Sequence, residues 1–252
     1  MSGKIDVTVE AGVKTLRMNR PEKKNALTDK MYHALADEMV SAEGDDAVGA
    51  ILFLGAGGNF TTGNDIADFL AASQGGGLAA DLGVNRFLRA QVEATKPLIA
   101  GVEGLAVGVG ATTLFQCDLV YVAENADIRT PFVDLGLVPE NASSHLAPRI
   151  MGHQKAFEML ALGEPFTAQM AYDSGFANRV VPAAEVEMVA MDAARRLAAK
   201  PREAMAITRR LLRGDPDVVG RVAAEEGRLF GERIQSDEAR AAFMAFMSRK
   251  AG

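Results

Sequence analysis

The first segment of the chain that could do chemistry is Thr62-Gly63-Asn64-Asp65, which lies between an apolar strand and a helix predicted to begin near Ile66. The first N–H groups of a helix have no partner within the helix and can point at an anion that develops on a substrate. The same residues also fit an ordinary turn in which Asp65 caps the helix. Taken alone, the segment leaves both interpretations open.

A second segment, Glu103 to Thr112, carries glycines at positions 104, 108 and 110 directly after a predicted strand. Glycine lets the backbone approach a ligand closely where a helix begins. The spacing is not G-x-G-x-x-G, and no acidic residue ends an apparent second strand at the usual distance, so dinucleotide binding is disfavoured. A closely packed helix start is the alternative to a ligand site.

The third candidate is Glu140, which follows Pro139 in a loop framed by the apolar residues Leu137 and Val138. Apolar surroundings disfavour the charged form of a carboxyl group, so its pKa rises and it becomes a usable base near neutral pH. A solvated loop glutamate is the alternative. Asp134 is the rival acid in this stretch, and a surface or salt-bridged role is expected for it.

The composition is that of an ordinary globular protein and excludes several classes. Of 252 residues, 48% are hydrophobic and 24% are charged, and the net charge of −6 offers no basic surface for nucleic acid. Cys117 is the single cysteine, so no intrachain disulfide can form and a reducing cytoplasm is expected. We also expect no secretory signal and no membrane span, because no apolar run approaches roughly 20 residues.

The hydrophobic pattern predicts an α/β protein followed by a helical tail. Alternation at the start predicts a hairpin that turns at Ala11-Gly12, and Thr28 is a predicted cap for a helix that ends at Gly44. Continuous apolar runs predict buried parallel strands. From about Ser143 onward the pattern is almost purely helical. The predicted strands are 50–54, 98–102 and 119–123, and the predicted caps and breaks of the tail are Thr167, Ser236, Pro182, Pro201 and Pro216.

These segments, in their order and separations, together resemble the crotonase (enoyl-CoA hydratase/isomerase) superfamily. The resemblance is carried by NRP at 19–21, NAL at 25–27, TTGND, EGLAVGVG, CDLVYVAENADIRTPF and FTAQMAYDSGFANRVV. It implies a crotonase-like ββα spiral core over residues 1–190. It also implies a helical C-terminal region over 191–252 that serves oligomerisation or covers the active site, and assembly as a homotrimer or hexamer.

In that family an acyl-CoA thioester binds with its carbonyl oxygen between two backbone N–H groups. The resemblance assigns these oxyanion donors to Asn64 and Val109. It further implies that residues around the two glycine segments contact the substrate or its coenzyme A: Ala26, Thr62, Gly63, Asp65, Ile66 and Gly108. Coenzyme A enters as part of the substrate, so the resemblance implies no metal and no separate cofactor.

The resemblance favours isomerisation over hydration. Hydratases of the family use two glutamates, whose positions here hold Thr112 and Phe132, and neither residue can activate water or deliver a proton. Glu140 instead matches the carboxylate of peroxisomal-type Δ3,Δ2-enoyl-CoA isomerases, which act in fatty-acid β-oxidation. The alternatives are a hydratase or another crotonase-type lyase or hydrolase, and a non-catalytic acyl-CoA-binding subunit.

Three further expectations concern positions outside these motifs. Asn85 could lie on a helix that faces the acyl pocket, although an exposed asparagine is the simpler interpretation. Phe230, Phe243 and Phe246 could pack a subunit interface, cover the acyl site or belong to the core of their own chain. The stretch SQGGG at 73–77 is either a linker or a substrate-covering flap.

Overall fold

The structure, a computed structural model, describes residues 4–65 and 82–250, with side chains described as far as residue 245. It is an α/β protein, as predicted. The strands are β1 (Lys4–Glu10), β2 (Val13–Asn19), β3 (Ala50–Gly55), β4 (Leu98–Val102), β5 (Leu105–Val107), β6 (Leu119–Ala123), β7 (Asp127–Arg129), β8 (Phe166–Thr167) and β9 (Arg179–Val181).

Nine α-helices are formed by the residues that the structure describes, and short 3-10 or π turns connect several of them. They are α1 (Asp29–Gly44), α2 (Gly83–Glu93), α3 (Val109–Gln116), α4 (Ser143–Phe157), α5 (Ala168–Asp173), α6 (Val186–Ala198), α7 (Arg202–Arg213), α8 (Pro216–Ile234) and α9 (Asp237–Lys250). None of the helices over the described ranges is long and apolar enough to cross a bilayer. The predicted helix start at Ile66 and the SQGGG stretch lie outside the described residues.

The main sheet has six strands in the order β1-β2-β3-β4-β6-β9. The strands β1 and β2 form the predicted antiparallel hairpin, and the remaining neighbours are parallel. Alternate residues of β3 pack on opposite faces: Phe53 joins the larger core cluster, and Leu52 packs with Ala190 of α6. Because both faces are covered, the strand is continuously apolar, as the sequence predicted.

A smaller sheet, in the order β5-β7-β8, stands beside the main one. An isolated bridge between Thr61 and Ala106 joins β5 to the loop after β3. A second isolated bridge, between Leu27 and Asn64, joins that loop to the segment before α1. These bridges bring three parts of the chain that are distant in sequence to one edge of the fold.

Helix α1 begins and ends where the sequence predicts. The hydroxyl oxygen of Thr28 accepts a hydrogen bond from the N–H of Met31, and Gly44 is the last helical residue. The predicted caps in the tail are also confirmed. Thr167 accepts from the N–H of Met170, and Ser236 accepts from the N–H of Ala239.

The expectation that the chain is almost purely helical after Ser143 is wrong in two places. Residues Phe166–Thr167 form β8, and Arg179–Val181 form β9, which pairs with β6 at the edge of the main sheet. Such short strands carry too few residues for a period-two pattern. Their stability comes from hydrogen bonds to strands formed much earlier in the chain, which a local pattern does not contain.

Polar contacts hold the helical tail against the core of its own chain. The guanidinium of Arg209 donates to Asp118, with 2.7 Å between Nε and Oδ2, and the same carboxylate accepts from the N–H of Leu98. Phe230 and Phe243 are buried within their own chain, and the side chain of Phe246 lies outside the described residues. Helix α6 runs across the boundary between residues 190 and 191 and packs on the main sheet.

Asn25 fixes the loop before α1 onto the loop after β3. Its side chain is fully buried, and Nδ2 donates to the carbonyl oxygens of Ala56, Asn59 and Phe60 at 2.8, 2.7 and 3.2 Å. Its Oδ1 accepts from the N–H of Arg20 at 2.8 Å. This amide side chain therefore fixes the loop that leads into the first glycine segment.

Replacement of this amide should destabilise the fold. We expect Asn25→Ala to lower the free energy of unfolding by about 2–4 kcal/mol, because several buried polar groups would lose their partners. Lys23→Ala, at an exposed position two residues earlier, serves as the control and should change stability little. Urea denaturation of both variants measures the difference, and equal stability would contradict the assigned role.

Candidate active site

A cavity of about 1010 Å³ opens between α1, α2, the loop at Asn64, the loop at Glu140 and α8. Its walls include Tyr32, Asn64, Asn85, Glu140 and Phe230. Asn85 therefore does face the pocket, as one interpretation of the sequence held. The volume is sufficient for an organic substrate of moderate size.

Glu140 is the buried carboxyl group in the described wall of this cavity. Its residue is 6% exposed, and its Oε1 atom is buried without a hydrogen-bond partner. Burial raises the pKa of Glu140 to about 7; the negative charge of Glu226 adds to this rise, and a hydrogen bond with the Thr112 hydroxyl opposes it. A carboxyl group with a pKa near 7 can both accept and return a proton at neutral pH.

A chain of hydrogen bonds between buried polar side chains fixes the loop that carries Glu140. Asn141, in the left-handed conformation at φ 61°, donates from Nδ2 to Oε1 of Gln91 at 2.8 Å. Gln91 in turn donates to the Thr113 hydroxyl at 3.1 Å, and Gln116 donates to the carbonyl oxygen of Asn141 at 2.8 Å. All four side chains are buried, so the neighbour of Glu140 is held from α2 and from α3.

The backbone at Asn64 presents its N–H group away from the neighbouring segment. The carbonyl oxygen of Gly63 accepts from Leu27 N–H at 2.8 Å, and the N–H of Asp65 donates to the Leu27 carbonyl oxygen at 2.9 Å. Since successive N–H groups of extended chain alternate in direction, that of Asn64 points to the opposite side. The Tyr32 hydroxyl donates to Asn64 Oδ1 at 2.5 Å and holds the residue in place.

Val109 is the first residue of α3, so its N–H group has no partner within the helix. The chain enters the helix through Gly108, whose φ of 57° and ψ of −118° suit glycine. A Cβ atom at Gly63 would lie 3.8 Å from the Val109 nitrogen and 2.7 Å from the Val107 carbonyl oxygen. The two glycine segments are therefore in contact. Of the two predicted oxyanion residues, Asn64 lines the cavity, whereas Val109 is buried and does not belong to its described lining.

Thr112 and Phe132 occupy the two positions that the resemblance assigns to the glutamates of hydratases. Neither position carries a carboxylate. Thr112 is fully buried one turn after Val109, and its hydroxyl is the group that forms the hydrogen bond with the Glu140 carboxyl. The Phe132 ring packs edge-on against Phe230, with 6.5 Å between centroids. Neither Thr112 nor Phe132 belongs to the described lining of the cavity.

Among the other residues predicted to contact the substrate, Asp65 lines the cavity, and Ala26, Thr62, Gly63 and Gly108 do not belong to its described lining. Asp65 forms an ion pair with Arg20 at 2.7 Å, and the carbonyl oxygen of Ala26 accepts from the same arginine at 3.1 Å. The N–H of Thr62 donates to the Lys24 carbonyl oxygen. Ile66 lies outside the described residues, and Asp134 is exposed, as expected of the rival acid.

Sequence reasoning missed Tyr32 and Glu226. Glu226 could have been found, because it occupies the buried stripe of α8 with Val219, Phe230 and Ile234, at spacings of a helix face that is otherwise apolar. Tyr32 lies in a predicted helix with no local sign that its hydroxyl reaches Asn64. Over the described ranges, no group of three His, Cys, Asp or Glu side chains could hold a metal ion.

Comparisons with known proteins agree with this architecture. The family model described as enoyl-CoA hydratase/isomerase matches residues 8–251. The chain is 36% identical over 248 residues to enoyl-CoA delta isomerase 2 of Rattus norvegicus, with 97% of this chain and 63% of the relative covered. It is also 34% identical to 1,2-epoxyphenylacetyl-CoA isomerase of Escherichia coli (strain K12), with 77% of this chain and 75% of the relative covered.

Solved structures give the same result. OdaA of Pseudomonas aeruginosa superposes with a TM-score of 0.90 at 44% identity, with 96% of this chain and 98% of the other covered. An enoyl-CoA hydratase/isomerase from Pseudoalteromonas atlantica T6c superposes with a TM-score of 0.91 at 35% identity, with 97% of both chains covered. The chain spans 63% of the length of the rat and human delta isomerases that it matches.

The crotonase-like fold predicted from the motifs is thereby confirmed, and the chain belongs to the enoyl-CoA hydratase/isomerase family of enzymes, within the crotonase superfamily.

Proposed function

We propose that the chain is a Δ3,Δ2-enoyl-CoA isomerase, which moves the double bond of a 3-enoyl-CoA to give trans-2-enoyl-CoA in fatty-acid β-oxidation. The observation that carries the proposal is the buried carboxyl of Glu140, with one unpartnered oxygen, in the wall of a cavity that also includes Asn64. The names of the rat and human relatives, enoyl-CoA delta isomerase 2, support the same reaction class.

The proposed reaction needs one base and one oxyanion site. Glu140 removes a proton from C2 of the 3-enoyl thioester, and the electron pair delocalises through the double bond and onto the thioester oxygen. The N–H groups of Asn64 and Val109 donate to that oxygen, each contributing roughly 2.7–4 kcal/mol in the transition state. Glu140 then returns the proton at C4, so the product is an isomer of the substrate and no water is consumed.

Hydration is the less favoured reaction for this site. Water addition needs one group to activate water and another to deliver a proton to carbon. The described cavity wall offers Glu140, whereas Thr112 and Phe132 stand where a hydratase would hold its glutamates. Glu226 is buried as well, but it does not belong to the described lining of the cavity.

The proposal extends to the coenzyme A portion of the substrate, which would contact the backbone at Ala26, Thr62, Gly63, Asp65, Ile66 and Gly108. The exposed arginines Arg89 and Arg221 in the cavity wall can attract its phosphates. The thioester acidifies C2 by itself, so the reaction requires neither a metal nor a redox cofactor.

We also propose a cytoplasmic homotrimer or hexamer. Leu211 and Leu212 of α7 are 74% and 83% exposed in the isolated chain, and a subunit contact would remove such apolar side chains from water.

Removal of the base should slow turnover strongly and spare binding. We expect Glu140→Gln to lower the isomerisation rate of a 3-enoyl-CoA by about 10²–10⁴-fold, since the amide cannot accept the C2 proton. Its affinity for a 2-enoyl-CoA should persist. Asp134→Asn, in the exposed rival acid of the same loop, is the matched control and should keep full activity. An isomerase that works normally with Gln at position 140 would overturn the assignment.

The rate should depend on pH through Glu140. Because the base must be deprotonated and burial raises its pKa to about 7, kcat/KM should fall about tenfold per pH unit below that value and level off above it. Isomerisation measured from pH 5 to 9 provides the test. An acid limb near pH 4.5, where an ordinary glutamate titrates, would show that Glu140 is not the base.

A side chain at Gly63 should damage the oxyanion site. In Gly63→Ala the new Cβ would meet the Val107 carbonyl oxygen at 2.7 Å and push the two amides apart, so kcat/KM should fall by about 10²–10³-fold. Gly214→Ala is the control, because its φ of 82° is equally strained for alanine while its Cβ would meet nothing within 4 Å. Both variants should lose stability, and loss of activity in both alike would contradict the proposal.

A further inference from the structure

Glu226 of α8 places a second carboxyl group beside the loop that carries Glu140. Its Oε1 atom accepts hydrogen bonds from the N–H and the hydroxyl of Ser144, at 2.9 and 2.5 Å. Ser144 is the second residue of α4, whose first N–H groups have no partners within the helix. The carboxylate of Glu226 is thus held on the positive end of α4.

Glu140 is joined to the same helix start from the other side. The N–H and the hydroxyl of Ser143 donate to the carbonyl oxygen of Glu140, at 3.1 and 2.6 Å. Consecutive serines therefore bind the backbone of the first glutamate and the carboxylate of the second. Phe230, one turn after Glu226, lines the cavity that contains Glu140, so α8 lies over the site.

Both glutamates are buried, and each is 6% exposed. The Oε1 atom of Glu140 and the Oε2 atom of Glu226 have no hydrogen-bond partner. No lysine or arginine forms an ion pair with either group in the part of the chain that the structure describes. Two buried carboxyl groups that share a helix start without a cation repel each other when both are ionised.

We propose that Glu226 is a positioning residue that makes Glu140 a stronger base, by holding a fixed, buried negative charge beside it. Burial raises the pKa of Glu226, and hydrogen bonds from the Ser144 hydroxyl and from the backbone N–H groups at the start of α4 oppose this rise. Glu140 has only the Thr112 hydroxyl to oppose the rise of its own pKa, so in this proposal Glu226 loses its proton first. The charge then opposes ionisation of Glu140. This role rests on the proposed isomerase function, in which Glu140 must take a proton from carbon.

Other titratable groups around the pair differ in burial and pairing. Tyr32 of α1 stays neutral, because burial raises the pKa of its hydroxyl, and burial together with Arg149 lowers the pKa of His145. Arg228 is exposed and pairs with Glu225 and Glu232. The remaining charged side chains in the cavity wall are Asp29, Asp65, Arg89, Glu93, Asp217 and Arg221.

A structural role alone would also explain the contacts of Glu226, since it caps α4. The two roles differ in their effect on pH dependence. Glutamine at position 226 can still accept from Ser144, so Glu226→Gln keeps the cap but removes the charge. A residue that only caps the helix would change stability or kcat and leave the pH profile in place.

We expect the acid limb of kcat/KM in Glu226→Gln to move to lower pH by about 0.5–2 pH units, since one like charge is removed. The rate on the high-pH plateau should fall by about 3–10-fold, because a base of lower pKa takes the proton more slowly. Glu225→Gln, on the adjacent exposed position of α8, is the matched control and should leave both unchanged. An unmoved acid limb in an active Glu226→Gln variant would overturn the proposal.

A second measurement tests the coupling without any turnover. Carboxyl titration by ¹³C NMR on protein labelled at glutamate would follow Glu140 and Glu226, whose signals are assigned by their loss in Glu226→Gln and Glu140→Gln. The Glu140 signal should titrate at lower pH in Glu226→Gln, whereas the Glu226 signal should keep its midpoint in Glu140→Gln, because Glu226 ionises while Glu140 is still neutral. In the natural protein the Glu226 signal should titrate before the Glu140 signal, and this order needs only one of the two variants for assignment. An unchanged Glu140 midpoint in Glu226→Gln, or the reverse order in the natural protein, would overturn the coupling. Shifted midpoints in a protein without isomerase activity would instead reject the proposed function alone.

Discussion

The candidate site depends on one constraint, which is that the carboxyl group of Glu140 is kept out of water. Burial raises its pKa to about 7 and leaves one of its oxygens without a partner. A buried carboxyl group keeps a raised pKa only if the surrounding side chains cannot move aside and admit water to it. The amides of Gln91, Gln116 and Asn141 provide that rigidity, because each is hydrogen-bonded and buried next to the glutamate.

The second part of the site is made of backbone. The Val107 carbonyl oxygen lies so close to Gly63 that a side chain has no room there, so glycine is required by space as well as by conformation. Asn25 holds one of these segments in position from a different loop. An oxyanion site of this kind is specified by the residues that position the amides, and the identity of the amide-bearing residues matters less.

The helical tail takes part in the site as well as in the fold. Arg209 binds Asp118 and Arg213 binds Gln116, and these contacts attach the tail to the core. In α8, Phe230 lines the cavity, and Glu226 is buried outside its described lining. A division of the chain into a catalytic core and an appended tail therefore understates what the tail does. Both the apolar wall and the electrostatic surroundings of Glu140 depend on it.

The sequence by itself determined the hairpin, the buried parallel strands and the helix caps, because caps and alternating patterns are local. The motifs also singled out Glu140 and the two glycine segments. Only the tertiary structure decided that β9 is a strand, that Tyr32 binds Asn64, and that Glu226 stands beside Glu140. These features need partners far along the chain. A three-residue strand is stabilised by backbone hydrogen bonds to the unpaired edge of a neighbouring strand. The pKa of a carboxyl group depends on the burial, charges and hydrogen bonds that the packed structure gives it.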